Sequence, residues 1–257
     1  MTEKMKGFDR KWFHTYMLIF IVIGLGIILS FVSSNFLSTT NLLNVLRQIS
    51  INGILAIGMT IVCLTGGLDL SVGSIVAFSG IIVAGLLRDK DYPIFLVLLI
   101  AILIGGLLGL YNGYFVAYRN AAPFVVTLSM MTIARGMTYV YSNGRPISNL
   151  PTHFLAIGKG SIAGVPVPTI ILIVVFIFAS IMLKKIKFGR YVYAVGGNEN
   201  AAMVSGINVK WIKMMVYVLS GIACGIAAII LTARVSAGLP TAGESYELDA
   251  IAATVIG

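Results

Sequence analysis

Long apolar runs separated by short polar or glycine-rich intervals fill the chain, and their lengths are those of membrane spans. The first, 16–33, follows a polar, basic segment at 1–15 and is about 27 Å long as a helix, near the thickness of a bilayer's hydrocarbon core. The run is long for a signal peptide, and no Ala-x-Ala cleavage site follows it. Further runs occupy 41–64, 70–87, 94–118, 123–141, 167–183 and 214–233. An eighth opens at Leu248, after a polar stretch at 234–247 read as external, and reaches Gly257 about 15 Å later, half a bilayer. The pattern predicts an all-α fold: a polytopic transmembrane helix bundle of about seven full spans and a partial eighth, one domain over 1–257. The interval 142–166 is rich in Gly, Pro and Ser and reads as an external loop with a short interfacial helix near His153.

Polar residues inside the runs narrow the search for a pathway. Arg47, Gln48 and Asn52 lie in the first half of the second run; Arg47 is placed to snorkel, leaving Gln48 and Asn52 to face other helices or a water-filled path. Gly66 and Gly67 then interrupt the apolar pattern, with Asp69 and Ser71 opening the next helix. A broken helix is tolerated at membrane depth only where its freed backbone is buried in protein or lines a cavity. Gly66, Gly67, Asp69 and Ser71, with Gln48 and Asn52, are therefore the translocation candidates. Asp69 has two readings, as a cap on the helix that follows or as one station of a proton relay. Gly73, Ala77, Gly80 and Ala84, then Gly105, Gly109 and Gly113, then Gly221 and Gly225 form small-residue faces that mark packed sides. Arg135 either snorkels or pairs within the bundle. Glu244, Glu247 and Asp249 make an acidic cluster, and Leu248 and Asp249 echo Leu68 and Asp69, each pair placing an acid just before an apolar, small-residue helix.

Composition changes the picture in two ways. With 58% hydrophobic and 11% charged residues the chain is an integral membrane protein. Its net charge of +9 does not point to nucleic acid, because the basic residues gather at helix ends and in one long interval, without interleaved aromatics. They gather mostly on one side of the predicted bundle, which makes that side, with the N-terminus, cytoplasmic. Cys63 and Cys224 lie in apolar runs and His14 and His153 are isolated, so neither a disulfide framework nor a metal site is predicted. No phosphate-binding loop and no nucleophile elbow occurs, so an enzyme is not expected.

The long basic interval, 184–213, carries Lys184, Lys185, Lys187, Arg190, Lys210 and Lys213 against the single acid Glu199. Asn198 is placed to cap a short helix from Glu199 to Ser205, with the acid at the positive end of its dipole and Gly206 as the stop. Such a helix is too short to stand alone and needs a partner groove.

The run GGNENAAMVSGI (196–207) resembles the cytoplasmic coupling-loop motif of bacterial monosaccharide ABC-importer permeases of the ribose, xylose and galactose type. LTGGLDLSVGS (64–74) and YELDAIAATVIG (246–257) resemble further signatures of that family, in the family's order. The resemblance implies a multi-pass protein of the bacterial cytoplasmic membrane that moves a monosaccharide by alternating access. Gly197, Asn198, Glu199, Ala201, Ala202, Ser205 and Gly206 would dock on an ABC ATPase subunit. ATP and Mg would be bound by that partner and no cofactor by this chain. A second permease copy and an extracytoplasmic sugar-binding protein would complete the assembly. Family members continue through further membrane helices, so the sequence is expected to be C-terminally truncated. The alternatives are an ion-coupled secondary transporter using Asp69 and an ABC permease for another small polar solute.

Overall fold

The computed structural model describes Met17 and residues 19–89 and 92–256. The expected cytoplasmic segment 1–15, the pair Lys90 and Asp91, and Gly257 lie outside the described residues. The chain divides into two compact units, 1–45 and 46–257. In the first, α1 (Ile19–Val32) is followed by a turn and the opening of α2 (Thr39–Cys63). Ser38 caps α2 by accepting from the Asn41 amide at 3.3 Å, and Asn41 returns a bond to the Phe36 carbonyl at 2.8 Å.

The second unit holds the rest of α2, then α3 (Val72–Asp89), α4 (Ile94–Tyr118), α5 (Pro123–Ser142), α6 (Thr152–Lys159), a hairpin of β1 (Ser161–Ile162) and β2 (Val165–Pro166), α7 (Val167–Lys185), α8 (Lys187–Gly197), α9 (Glu199–Val204), α10 (Val209–Val235) and α11 (Tyr246–Ile256). Among the described helices α2, α4, α7 and α10 are long and apolar enough to cross a membrane, while α1 and α3 are apolar but shorter. The sequence pattern predicts seven spans. Part of the difference lies in α5, whose twenty residues include Thr127, Ser129, Thr132 and Arg135 and so dilute its apolar character.

The apolar surface is on the outside. Phe95, Leu103 and Leu107 of α4 and Val174, Phe176 and Phe178 of α7 are exposed, a distribution suited to lipid rather than water. The inside is held by small residues. A Cβ on Gly105 would lie 2.1 Å from the Gly221 carbonyl, on Gly109 2.2 Å from that of Tyr217, and on Gly225 2.6 Å from that of Ala101. The glycine faces of α4 and α10 therefore meet backbone to backbone, as their spacing predicts. Lipid offers little hydrophobic drive for association, so this close approach, with its van der Waals contact, is what joins the helices.

One predicted element is corrected. The stretch 234–247 is not an external loop leading to a span that opens at Leu248. After α10, residues 236–245 fold back along α3: Gly238 packs on Ile81 and Ala84, and Gly243 on Gly73. From Ala84 back to Gly73 is about 16 Å along the helix axis. The segment is thus re-entrant, and α11 starts beside the first turn of α3 rather than at its far end.

Candidate functional site

Two interrupted helices build the candidate site. At the first break, Gly66 takes a positive φ of 76° and its amide closes a turn on the Cys63 carbonyl at 2.9 Å. Gly67 lies beneath Tyr217, whose hydroxyl a Cβ would approach to 2.7 Å; that hydroxyl donates to the Leu68 carbonyl at 3.3 Å. Asp69 follows, fully buried. Its Oδ1 accepts from the Ser71 amide at 3.0 Å and the Ser71 hydroxyl at 2.6 Å, and its Oδ2 accepts from the Ser220 hydroxyl at 3.0 Å. Asn112 Nδ2 donates to Ser71 Oγ at 2.9 Å. The carboxylate thus holds Ser71, the residue before α3, and ties this turn to α10 directly and to α4 through Ser71. Three donors on one carboxylate fix the turn that leads into α3.

The second break is the re-entrant segment. Ile147 and Gly238 exchange two backbone hydrogen bonds of 2.9 Å, and the Arg135 guanidinium donates through Nη1 to the carbonyls of Pro240 at 2.7 Å and Ala242 at 2.8 Å. Arg135 pairs within the bundle and holds the segment down. Below it α11 runs beside α2, with Asn52 donating to Asp249 at 3.2 Å and the hydroxyls of Thr60 and Thr254 3.4 Å apart. Where α3, α5 and the re-entrant segment meet, Ser74, Thr132, Arg135, Glu244 and Glu247 line a cavity of ≈ 360 Å³.

Of the translocation candidates, Gly66, Gly67, Asp69 and Ser71 come together at the first break, and Asn52 joins α11 through Asp249. Gln48 is exposed on α2 and makes no part of either cluster. Arg47 donates to the Lys159 carbonyl at 3.1 Å. Sequence reasoning passed over Asn112, Ser220 and Tyr217. Their signal was present: Asn112 and Ser220 are polar residues deep in otherwise apolar runs, each next to a glycine of a packed face.

The basic interval is more ordered than a loop carrying one short helix. It contains α8, whose Gly189, Val192 and Val195 are buried, the two valines in a cluster with Ile61, Val62 and Val216. Its Gly196 rests on the end of α2, where a Cβ would lie 1.8 Å from the Leu64 carbonyl oxygen. Next, Asn198 caps α9 by accepting from the Ala201 amide at 2.9 Å, and Gly206 takes a φ of 82° as the helix stops, both as predicted. Ala202 is buried, whereas Met203 and Val204 are exposed, Val204 at 90%. Glu199 pairs with Lys213 at the start of α10. The interval therefore presents α9 outward while α8 touches the chain immediately before the first break.

Among the described residues no group of three His, Cys, Asp or Glu side chains is placed to hold a metal ion. Residues 41–257 match the family of branched-chain amino acid transport system / permease components. The ribose import permease protein of Bacillus subtilis (strain 168) is 46% identical over 235 residues, 91% of this chain and 73% of the relative. That of Escherichia coli (strain K12) is 42% identical over 263 residues, 100% of this chain and 82% of the relative. The galactose/methyl galactoside import permease protein of the same strain is 34% identical over 275 residues, 98% of this chain and 82% of the relative. No solved structure matches the chain.

Proposed function

We infer the function from one premise: the chain belongs to the family of branched-chain amino acid transport system / permease components. It is the transmembrane subunit of an ABC sugar importer in the inner membrane, and its partners are an ATPase subunit and a binding protein. The family description names amino acids, but ribose and galactose permeases match over nearly the whole chain. The solute proposed for this chain is a monosaccharide, ribose or a similar pentose or hexose.

The reading of mechanism is carried by the seat of Gly196 on the Leu64 carbonyl. The surface element 184–213 abuts the chain just before the Gly66 and Gly67 break, so a partner that displaces α8 and α9 acts directly on the interrupted helix. Basic residues concentrate at this end of the bundle, at Arg119, Lys184, Lys185, Lys187, Arg190, Lys210 and Lys213, which supports a cytoplasmic placement for it and for the N-terminus. There α9, with Gly197, Asn198, Glu199, Ala201, Ala202, Ser205 and Gly206, would meet the ATPase, which binds ATP and Mg and carries out the hydrolysis. The chain itself contributes no catalysis. Two copies would enclose the path, and closure of the ATPase subunits would swing it from one side of the membrane to the other.

The test is reconstitution of the permease with its ATPase in vesicles, with ATP hydrolysis and sugar uptake measured against ribose-, xylose- and galactose-loaded binding proteins. Hydrolysis and uptake stimulated by one loaded sugar-binding protein are expected. Uptake driven by an ion gradient without ATP would overturn the reading in favour of a secondary transporter.

A further inference from the structure

The cavity between α3, α5 and the re-entrant segment brings two carboxylates and a guanidinium together. Glu247 Oε2 lies beside Gly73, near the start of α3, and so about 24 Å along the helix from Asp89 at its other end. Charges at membrane depth are costly unless they pair or face water, and they mark solute paths. Two carboxylates, Glu244 and Glu247, and one guanidinium, Arg135, line this space together with the hydroxyls of Ser74 and Thr132. Arg135 is engaged by the carbonyls of Pro240 and Ala242, so it fixes the segment that carries Glu244. The carboxylates are left as acceptors, and neither is buried.

This mixture selects a class of solute. A fully apolar solute would contact Met131 but leave the charged acceptors unsatisfied. A neutral polyol supplies O–H donors to the carboxylates and to Thr132 Oγ1, whose own hydrogen is given to the Leu128 carbonyl at 2.8 Å. Hydrogen bonds to charged acceptors are the stronger kind, so a few of them orient a small hydroxylated ring. At ≈ 360 Å³ the cavity falls within the range of small-molecule sites, about 300–1,000 Å³.

We propose that this cavity is a transit subsite of the permease, in which Glu244 and Glu247 accept hydrogen bonds from the hydroxyls of the passing monosaccharide and Arg135 positions the segment that presents them. The proposal rests on the importer reading above and adds to it the residues that touch the solute. In the reconstituted complex with a ribose-loaded binding protein, Glu247→Gln and Glu244→Gln should each lower the ribose moved per ATP hydrolysed by about ten-fold, the loss expected for one hydrogen bond to a charged group. Because Glu247 also touches Gly73, a second measurement uses Thr132→Cys. Ribose should slow its labelling by a membrane-impermeant thiol reagent. Unchanged transport per ATP in both glutamine variants, or labelling of Thr132→Cys that ribose leaves untouched, would overturn the subsite. A wild-type complex that moves no sugar under ATP would instead overturn the importer reading.

Discussion

Gly196→Ala is the sharpest test of the link between the surface element and the membrane helices. The added Cβ would lie 1.8 Å from the Leu64 carbonyl oxygen, and ordinary contact begins near 3.4 Å, so α8 must retreat by about 1.6 Å or α2 must yield by the same amount. The obstacle is backbone, with no rotamer to give way. Overpacking of this kind costs about 1–3 kcal/mol, which lowers the melting temperature by roughly 2–4 °C per kcal/mol in a domain of this size. The neighbouring Gly197 provides the control, because a Cβ there meets nothing within 4 Å. Gly197→Ala should be neutral or slightly stabilising, since alanine gains up to about 1 kcal/mol over glycine in a helix. The assay is thermal unfolding of the purified complex, followed by the ratio of sugar uptake to ATP hydrolysis in vesicles. Gly196→Ala should lower both, whereas Gly197→Ala, which belongs to the docking element, is the control for unfolding alone and should leave the melting temperature unchanged or slightly raised. Equal behaviour of the two variants in thermal unfolding would refute a mechanical seat at Gly196.

Asp69→Ala leaves the Ser71 amide and the Ser71 and Ser220 hydroxyls without their acceptor and should destabilise by about 1–3 kcal/mol, whereas Asp69→Asn keeps an acceptor oxygen and should cost less; denaturant titration in detergent separates them, and ATP-driven uptake retained by Asp69→Asn would exclude a proton relay through this residue. Gly221→Val forces a side chain toward the Gly105 carbonyl, 2.1 Å from the Cβ position, and should prevent α4 and α10 from packing, seen as loss of the monodisperse peak in size-exclusion chromatography; a normal peak and melting temperature would contradict the glycine seam. Asn198→Ala removes the cap of α9 and should cost about 1 kcal/mol, read as weaker retention of the ATPase subunit during purification at unchanged bundle stability.

Much of this architecture was legible because lipid imposes a simple code. A run of about 20 apolar residues must be a helix, so α4 was bounded correctly at both ends, and the glycine spacing at 105, 109 and 113 named the face that meets α10. The cap at Asn198 and the stop at Gly206 were equally readable, since both are local backbone requirements. α8 was missed because its buried stripe includes Gly189 alongside Val192 and Val195, and a basic helix with a glycine on its buried face reads as polar loop. The descent of 236–245 was missed for a different reason. The segment's polarity reads as an external loop, whereas it packs along α3 because glycines admit the close approach and its carbonyls are held by Arg135.

The two breaks have a common logic that only the packing reveals. α3 is interrupted before Val72 and α11 before Tyr246, and the starts of the two helices lie against each other through Gly73 and Gly243. One end of this arrangement is anchored by Ser71 to α4 and by Asp69 to α10; the other is anchored by Arg135 to α5. A closely packed interior transmits displacement instead of absorbing it. A shift imposed at Gly196 therefore meets Leu64, the Gly66 turn and the turn leading into α3 before it reaches Gly243 and the cavity at Glu247. Each contact in that series is backbone against backbone or a hydrogen bond to a buried carboxylate, with few flexible side chains to dissipate the motion. The glycines that let the helices break also let the pieces touch, and so the coupling proposed above would run from the surface element at Gly196 to the polar cavity at Glu247.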